Sequence, residues 1–216
     1  SLTILENGAL TALGDFSNNG TFLVKSSDTG DGSFIDNGNI AGTGFFGVER
    51  YLTSEKWHYV APPISDVLSG VYLDIFLTEW DEPTGTWNYI VPVNIPLNPM
   101  EGYGAWASDS LTGTTTVTYE GTLNTGTINS APLTLTTVAP HDNKGFNFLG
   151  NPYPSAIDWD LASGWTRINI DNAIYIWNPA FGNYGSYIDG ASVNDVDNII
   201  PSGQGFYVHV TDGFTS

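Results

Sequence analysis

Apolar and polar positions alternate at period two along most of the chain, and Gly, Pro, Asn and Thr recur too often to leave a capped apolar 3.6-residue pattern of useful length. The segment Ile157 to Ser163 is the one short helical candidate. Alternation of Thr with apolar residues over Thr114 to Glu120, Thr122 to Ile128 and Leu133 to Val138 predicts half-buried strands that complete antiparallel sheets. The pattern therefore predicts an all-β chain.

The first 50 residues carry a period. Gly8, Gly20, Gly32 and Gly44 lie twelve apart, and Asn7, Asn19 and Asp31 precede three of them. Asn-Gly and Asp-Gly supply the positive φ of tight turns, and between them lie short β-prone runs such as Thr21-Phe22-Leu23-Val24. One short strand per interval suits a β-solenoid edge, and a pair of ordinary hairpins is the plainer alternative. On the solenoid reading, residues 1–50 are the last rungs of a longer coil.

Residues 51–216 contain a diverged internal duplication, one copy over 57–110 and the other over 146–210. Trp57-His58-Tyr59-Val60-Ala61-Pro62-Pro63-Ile64-Ser65 parallels Phe146-Asn147-Phe148-Leu149-Gly150-Asn151-Pro152-Tyr153-Pro154-Ser155. Trp80 to Trp87 parallels Trp177 to Tyr184, with aromatics seven apart around a Pro and Gly turn. Pro99-Met100-Glu101-Gly102-Tyr103 parallels Pro201-Ser202-Gly203-Gln204-Gly205-Phe206 before a last strand. Three matched elements in one order predict a jelly-roll-like β-sandwich with pseudo-duplicated halves, preceded by the solenoid-like rungs.

Phe146 to Asp160, then Ala173-Ile174-Tyr175-Ile176-Trp177-Asn178 and Ile200 to Val208, resemble a region common in large secreted proteins of Bacteroidetes. That region typically lies upstream of the C-terminal sorting domain of the type IX secretion system, beside adhesin-like repeats or catalytic domains. The resemblance spans about residues 45–210. It implies a secreted or cell-surface location and an accessory module whose partners include other domains of the same chain. It carries no catalytic residues onto this sequence, and the export route comes from the resemblance alone. The residues themselves read as structure: Gly150 takes backbone angles closed to other residues, Pro152 and Pro154 fix a corner, Trp159 packs beneath it, and Gly203-Gln204-Gly205 makes a tight turn whose Gln holds a neighbouring loop.

Composition narrows the function. The 216 residues hold 5 Lys and Arg against 23 Asp and Glu, a formal charge of −18, with no cysteine. That charge repels phosphate backbones and anionic lipid, so neither nucleic acid nor membrane is an expected partner. Without cysteine there is no disulfide framework, thiolate metal site or cysteine nucleophile. No apolar run reaches the roughly 18 residues of a membrane span. The start at Ser1-Leu2-Thr3 shows no signal peptide, and the chain reads as a piece of a longer protein. Missing cysteine and abundant Thr, Asn and Gly fit an extracellular bacterial protein.

His58, His141 and His209 have no close histidine or cysteine partner, so neither zinc-ligand spacing nor a hydrolase triad is written locally, and a non-catalytic module is expected. Acidic loops suggest Ca²⁺ as a possible cofactor, through Asp28, Asp31 and Asp36 in one loop and Asp189, Asp195 and Asp197 in another; side-chain-capped turns are the competing reading. The candidate ligand-binding residues are aromatic: Trp80, Trp87 and Tyr89 in one copy, Trp177, Tyr184 and Tyr187 in the other, flanked by Asp81 and Asn178. Sugar C–H faces stack on such rings while their hydroxyls bond to Asp and Asn, so polysaccharide binding is expected, and the acidity favours a neutral glycan. A purely structural cap, spacer or adhesin domain is the alternative, with the same aromatics in the core.

Overall fold

The computed structural model describes residues 1–91, 93–108, 115–137 and 141–213. The N-terminal part comprises β1 (Leu2–Ile4), β2 (Ala9–Ala12), β3 (Phe16–Ser17), β4 (Thr21–Val24), β5 (Ser26–Ser27), β6 (Gly30–Asp31), β7 (Ser33–Asp36), β8 (Ile40–Ala41) and β9 (Phe45–Leu52). The pairs β1–β4, β4–β9, β2–β7 and β3–β8 are all parallel. This is a coil of stacked rungs. Thr21 pairs with Phe45, Ala9 with Ser33 and Phe16 with Ile40, each twenty-four residues on, so one rung contains two of the twelve-residue glycine intervals and three strands. The first step is shorter, Leu2 pairing with Phe22, because the later rung carries an added hairpin, β5–β6. Inside the coil Phe16, Phe22, Phe34 and Phe46 pack together, Phe22 edge to face with Phe34 at 4.8 Å between centroids and tilted against Phe46 at 5.8 Å.

The first copy follows as β10 (Trp57–Val60), a 3₁₀ turn at Ser69–Tyr72, β11 (Ile75–Asp81), β12 (Thr86–Tyr89) and β13 (Tyr103–Ala107). Next comes β14 (Thr115–Glu120). The second copy is β15 (Phe146–Gly150), β16 (Ile157–Asp158), β17 (Ala173–Asn178), β18 (Asn183–Ile188), β19 (Ala191–Val193), β20 (Ile199–Ile200) and β21 (Gly205–His209). The sheets run β10-β13-β11-β12 and β15-β21-β17-β18-β19. First strand, last strand, then the central hairpin: the order is the same in both.

The registers match residue for residue. Val60 pairs with Tyr103 as Leu149 pairs with Phe206, Trp80 with Trp87 as Trp177 with Tyr184, and Thr78 with Gly104 as Tyr175 with Tyr207. The copies also cross-link reciprocally, through bridges Val60–Gln204 and Glu101–Leu149. An approximate twofold axis relates them.

Period two gives each sheet two faces. The faces that meet across the axis are aromatic: Tyr59, Trp80 and Trp87 against Phe146, Phe148, Tyr175, Trp177 and Tyr207. The outer face of the first sheet packs Val60, Leu77, Tyr103 and Ala105 into the same core as the coil residues Ile4, Phe22, Val24 and Val48. Residues 1–50 therefore have no separate core, and β9 runs through position 50 without a break. The outer face of the second sheet covers Trp159, Ile174, Val196, Ile200 and Phe206.

Several expectations change. The segment Ile157 to Ser163 holds the short strand β16 followed by turns, not a helix. Of the three Thr-alternating runs, β14 does pair antiparallel, but with β9 of the coil, where it covers the open edge. Residues 122–128 contribute a single bridge, Ile64–Leu123, and residues 133–137 pair through side chains, Thr134 with Asn147 and Thr136 with Glu82. Thr114 and Val138 lie outside the described residues. Gly150 is not in a left-handed conformation; a Cβ there would sit 2.1 Å from the Ala61 Cβ and 2.7 Å from the Glu101 carbonyl, so close approach demands the glycine. Gly203 does take φ +63°. Gln204 holds a strand and an arginine rather than a loop, donating to the Tyr59 carbonyl and accepting from Arg50. Trp159 is buried, in contact with Trp165 and Phe206.

Candidate functional site

The twofold is broken at two positions, and a groove opens there. Where the second copy places Tyr207 and Tyr175, the first has Gly104 and Thr78. In the second copy Tyr207 fills the space, lying over Phe148 at 4.6 Å. In the first copy the equivalent space is a cavity of about 300 Å³, lined by Trp57, Tyr59, Thr78, Trp87, Tyr89, Gly104 and Trp177. Gly104 is the floor: a Cβ there would come 2.6 Å from Thr78 Oγ1 and 3.2 Å from the Trp87 ring. Next to the groove, Trp57, Trp106 and Phe76 form one cross-strand row, with Phe76 5.5 Å from Trp106 and 6.3 Å from Tyr89. Phe76 and Tyr89 are 54% and 65% exposed, an unusual display of large rings on a sheet face.

The named aromatics divide between this groove and the core. Trp87, Tyr89 and Trp177 line it. Trp80 turns into the inter-sheet core, where its indole N–H donates to the Phe146 carbonyl at 2.8 Å. Tyr184 meets the Tyr59 hydroxyl, and Tyr187 faces the opposite side of the second sheet, where its hydroxyl donates to Asp160. Asp81 and Asn178 sit at the starts of the two hairpin turns, Asp81 accepting from Thr84 and Asn178 from the Ala180 N–H. Of the six aromatics expected to bind, Trp87, Tyr89 and Trp177 thus line the groove, while Trp80, Tyr184 and Tyr187 make other contacts. Trp57, Tyr59, Phe76 and Trp106 were missed, although their alternation (Trp57/Tyr59, Phe76/Thr78/Trp80, Gly104/Trp106) places them on the same face as Trp80.

A second cleft, of about 370 Å³, shares Tyr59 and Trp177 with the groove and continues past Arg50, His58 and Gln204 to the β5–β6 hairpin. Arg50 is buried, pairs with Asp31 at 2.8 Å and donates to Gln204 Oε1 at 2.6 Å. His58 accepts from the Thr53 N–H at 2.9 Å; burial, then the positive charges of Arg50 and Lys56, pull its pKa down to about 4, so it is neutral at pH 7. Burial, with the Tyr207 and Tyr184 hydroxyls adding to it, pushes the Tyr59 pKa far above the usual phenol value. His58 and Tyr59 therefore contribute uncharged side chains to the cleft, whose charged members are the Arg50–Asp31 pair and Asp28.

Asp31 is occupied by Arg50 and Ser26, while Asp28 is on the exposed hairpin tip and Asp36 lies on β7 opposite Ala12. Asp189 and Asp195 take left-handed turn conformations, and Asp197 accepts from the Ile199 N–H. Among the described residues no group of three or more His, Asp or Glu converges as a metal site. Both ring nitrogens of His209 are engaged, by Asp171 at 2.7 Å and the Lys144 carbonyl at 3.0 Å. No helix among the described residues is long and apolar enough to cross a membrane.

Neither the curated proteins nor the solved structures contain a match to this chain. Residues 1–185 match a family model described as a domain of unknown function, DUF8693, and the chain belongs to that family.

Proposed function

We propose that the protein is a non-catalytic accessory module that binds a neutral polysaccharide, with the groove over Gly104 and Thr78 as its site. The observation that carries this reading is the broken twofold: Gly104 replaces a core tyrosine and leaves an open, ring-walled groove beside the row of exposed Trp57, half-buried Trp106 and exposed Phe76. Ring faces suit sugar C–H faces, and the cavity is at the lower end of the roughly 300–1,000 Å³ of small-ligand sites. The charge of −18 works against uronic or sulfated chains. The resemblance read from the sequence, to a region of secreted or cell-surface Bacteroidetes proteins exported by type IX secretion beside other domains, supports an extracellular ligand.

Affinity electrophoresis against a panel of neutral and acidic polysaccharides tests this. Retardation by at least one neutral polymer is expected, with Trp57→Ala and Tyr89→Ala each weakening it by about tenfold, equivalent to about 1.4 kcal/mol. Both side chains are exposed, so melting temperatures should hold. Migration unaffected by every polymer would contradict the reading.

A purely structural role is the second reading, and one contact favours it: β14 pairs along β9 over Gly47–Leu52 and closes one edge of the parallel coil. A cap of this kind needs no ligand.

A further inference from the structure

Two buried donors beside the groove have no hydrogen-bond acceptor. Arg50 Nε is buried without a partner, although the guanidinium's other nitrogens donate to Asp31, the Ser202 carbonyl and Gln204. Trp177 Nε1 is also buried without a partner, whereas its twofold equivalent, Trp80, donates to a backbone carbonyl. Arg50 and Trp177 both line this cleft, and Trp177 also lines the groove. Orphaned buried donors are costly, and a ligand that supplies an acceptor recovers that cost.

Charge and shape restrict the acceptor. The Arg50 charge is already matched by Asp31, and Asp28 stands on the same wall, so an incoming anion would meet net negative charge. A neutral carbonyl oxygen is the better fit. Pro179 and Ala180 offer a small apolar surface next to Trp177, and the Asp28 carboxylate can accept an N–H. Carbonyl, N–H and methyl together make an acetamide. Building on the glycan reading above, we propose that this cleft recognises the acetamido group of an amino sugar whose neighbouring ring lies in the groove.

Titration calorimetry of the whole chain with N-acetylglucosamine oligomers and with glucose oligomers of the same linkage and length separates the two ideas. At least tenfold tighter binding of the acetamido series is expected, and Trp177→Phe, which keeps a ring but removes the N–H, should reduce that ratio below threefold. Equal affinities in the unaltered protein would overturn the acetamido proposal and leave the glycan site standing, whatever the variant's stability. A ratio unchanged in a folded Trp177→Phe would overturn it as well. Binding of neither series, together with no retardation on the polysaccharide panel, removes the site and this inference with it.

Discussion

At the scale of single residues, the site is built from substitutions between copies. Gly104 stands for Tyr207, Thr78 for Tyr175 and His58 for Asn147. The last exchange has a consequence for stability. Asn147 is locked to residue 134 by reciprocal bonds, Thr134 N–H to Oδ1 and Nδ2 to the Thr134 carbonyl. His58 Nε2 faces both backbone groups of Thr53, accepting the N–H at 2.9 Å when unprotonated and lying 3.2 Å from the carbonyl, and burial beside Arg50 disfavours its protonation. Its folded pKa of about 4 lies below the ordinary 6.5, so between those values the unfolded chain binds more protons than the folded one. The stabilisation, roughly 3 kcal/mol from the size of that shift, is complete above pH 6.5 and lost as pH falls toward 4. His58→Asn, which copies the other half, should flatten the urea midpoint measured from pH 7 to 5 relative to the unaltered protein. Parallel curves would show that His58 does not titrate in this way.

Among elements, the strand crossing at the axis is a tight constraint. Ala61 and Gly150 are twofold equivalents, one following Val60 and the other following Leu149, and they meet face to face. Only one of them has room for a Cβ. Gly150→Ala should therefore destabilise by about 1–3 kcal/mol through overpacking. Adding Ala61→Gly should restore part of that loss, because it removes the Ala61 clash while the Glu101 carbonyl still crowds the new methyl. Additive losses in urea denaturation of the four-member cycle would mean that the two positions do not compete. The glycine of the Gly-Asn-Pro-Tyr-Pro-Ser motif is thus explained by contact rather than by turn conformation.

The same crossing shows what the sequence could reveal about elements. The three matched motifs identified the duplication in the right order because each contains a strand start or a hairpin whose aromatics repeat at fixed spacing. The glycine period marked stacked turns, Ser33 N–H bonding to the Gly8 carbonyl and Phe45 N–H to the Gly20 carbonyl, yet spacing alone did not show that two intervals close one rung. Runs 122–128 and 133–137 have strand-like alternation, but the backbone of the first meets the short stretch Pro63–Ser65 and the second pairs with the Glu82 and Asn147 side chains, which no local pattern encodes. Alternation likewise put Trp80, Trp87 and Trp177 on a common kind of face. Whether that face meets water or the other copy depends on tertiary pairing, and only the exchange of tyrosine for Gly104 leaves part of it open.

For the whole molecule, the acidic charge is unevenly placed: residues 61–216 carry 16 of the 23 acids and only 2 of the 5 bases. The remaining bases include Arg50, buried where the coil, the first sheet and the turn at Gly203 converge, and matched by Asp31 from the β5–β6 hairpin. The coil and the sandwich therefore share both a core and the walls of the site, which makes the groove a product of the entire fold. The most direct measurement follows the indole N–H resonances of the seven tryptophans while a neutral glycan is added. Trp57, Trp87 and Trp177 should shift to saturation, while Trp159 and Trp165, in the core on the far face of the second sheet, stay in place. An unchanged spectrum at saturating glycan, or shifts confined to Trp159 and Trp165, would contradict the assignment of the groove as the binding site.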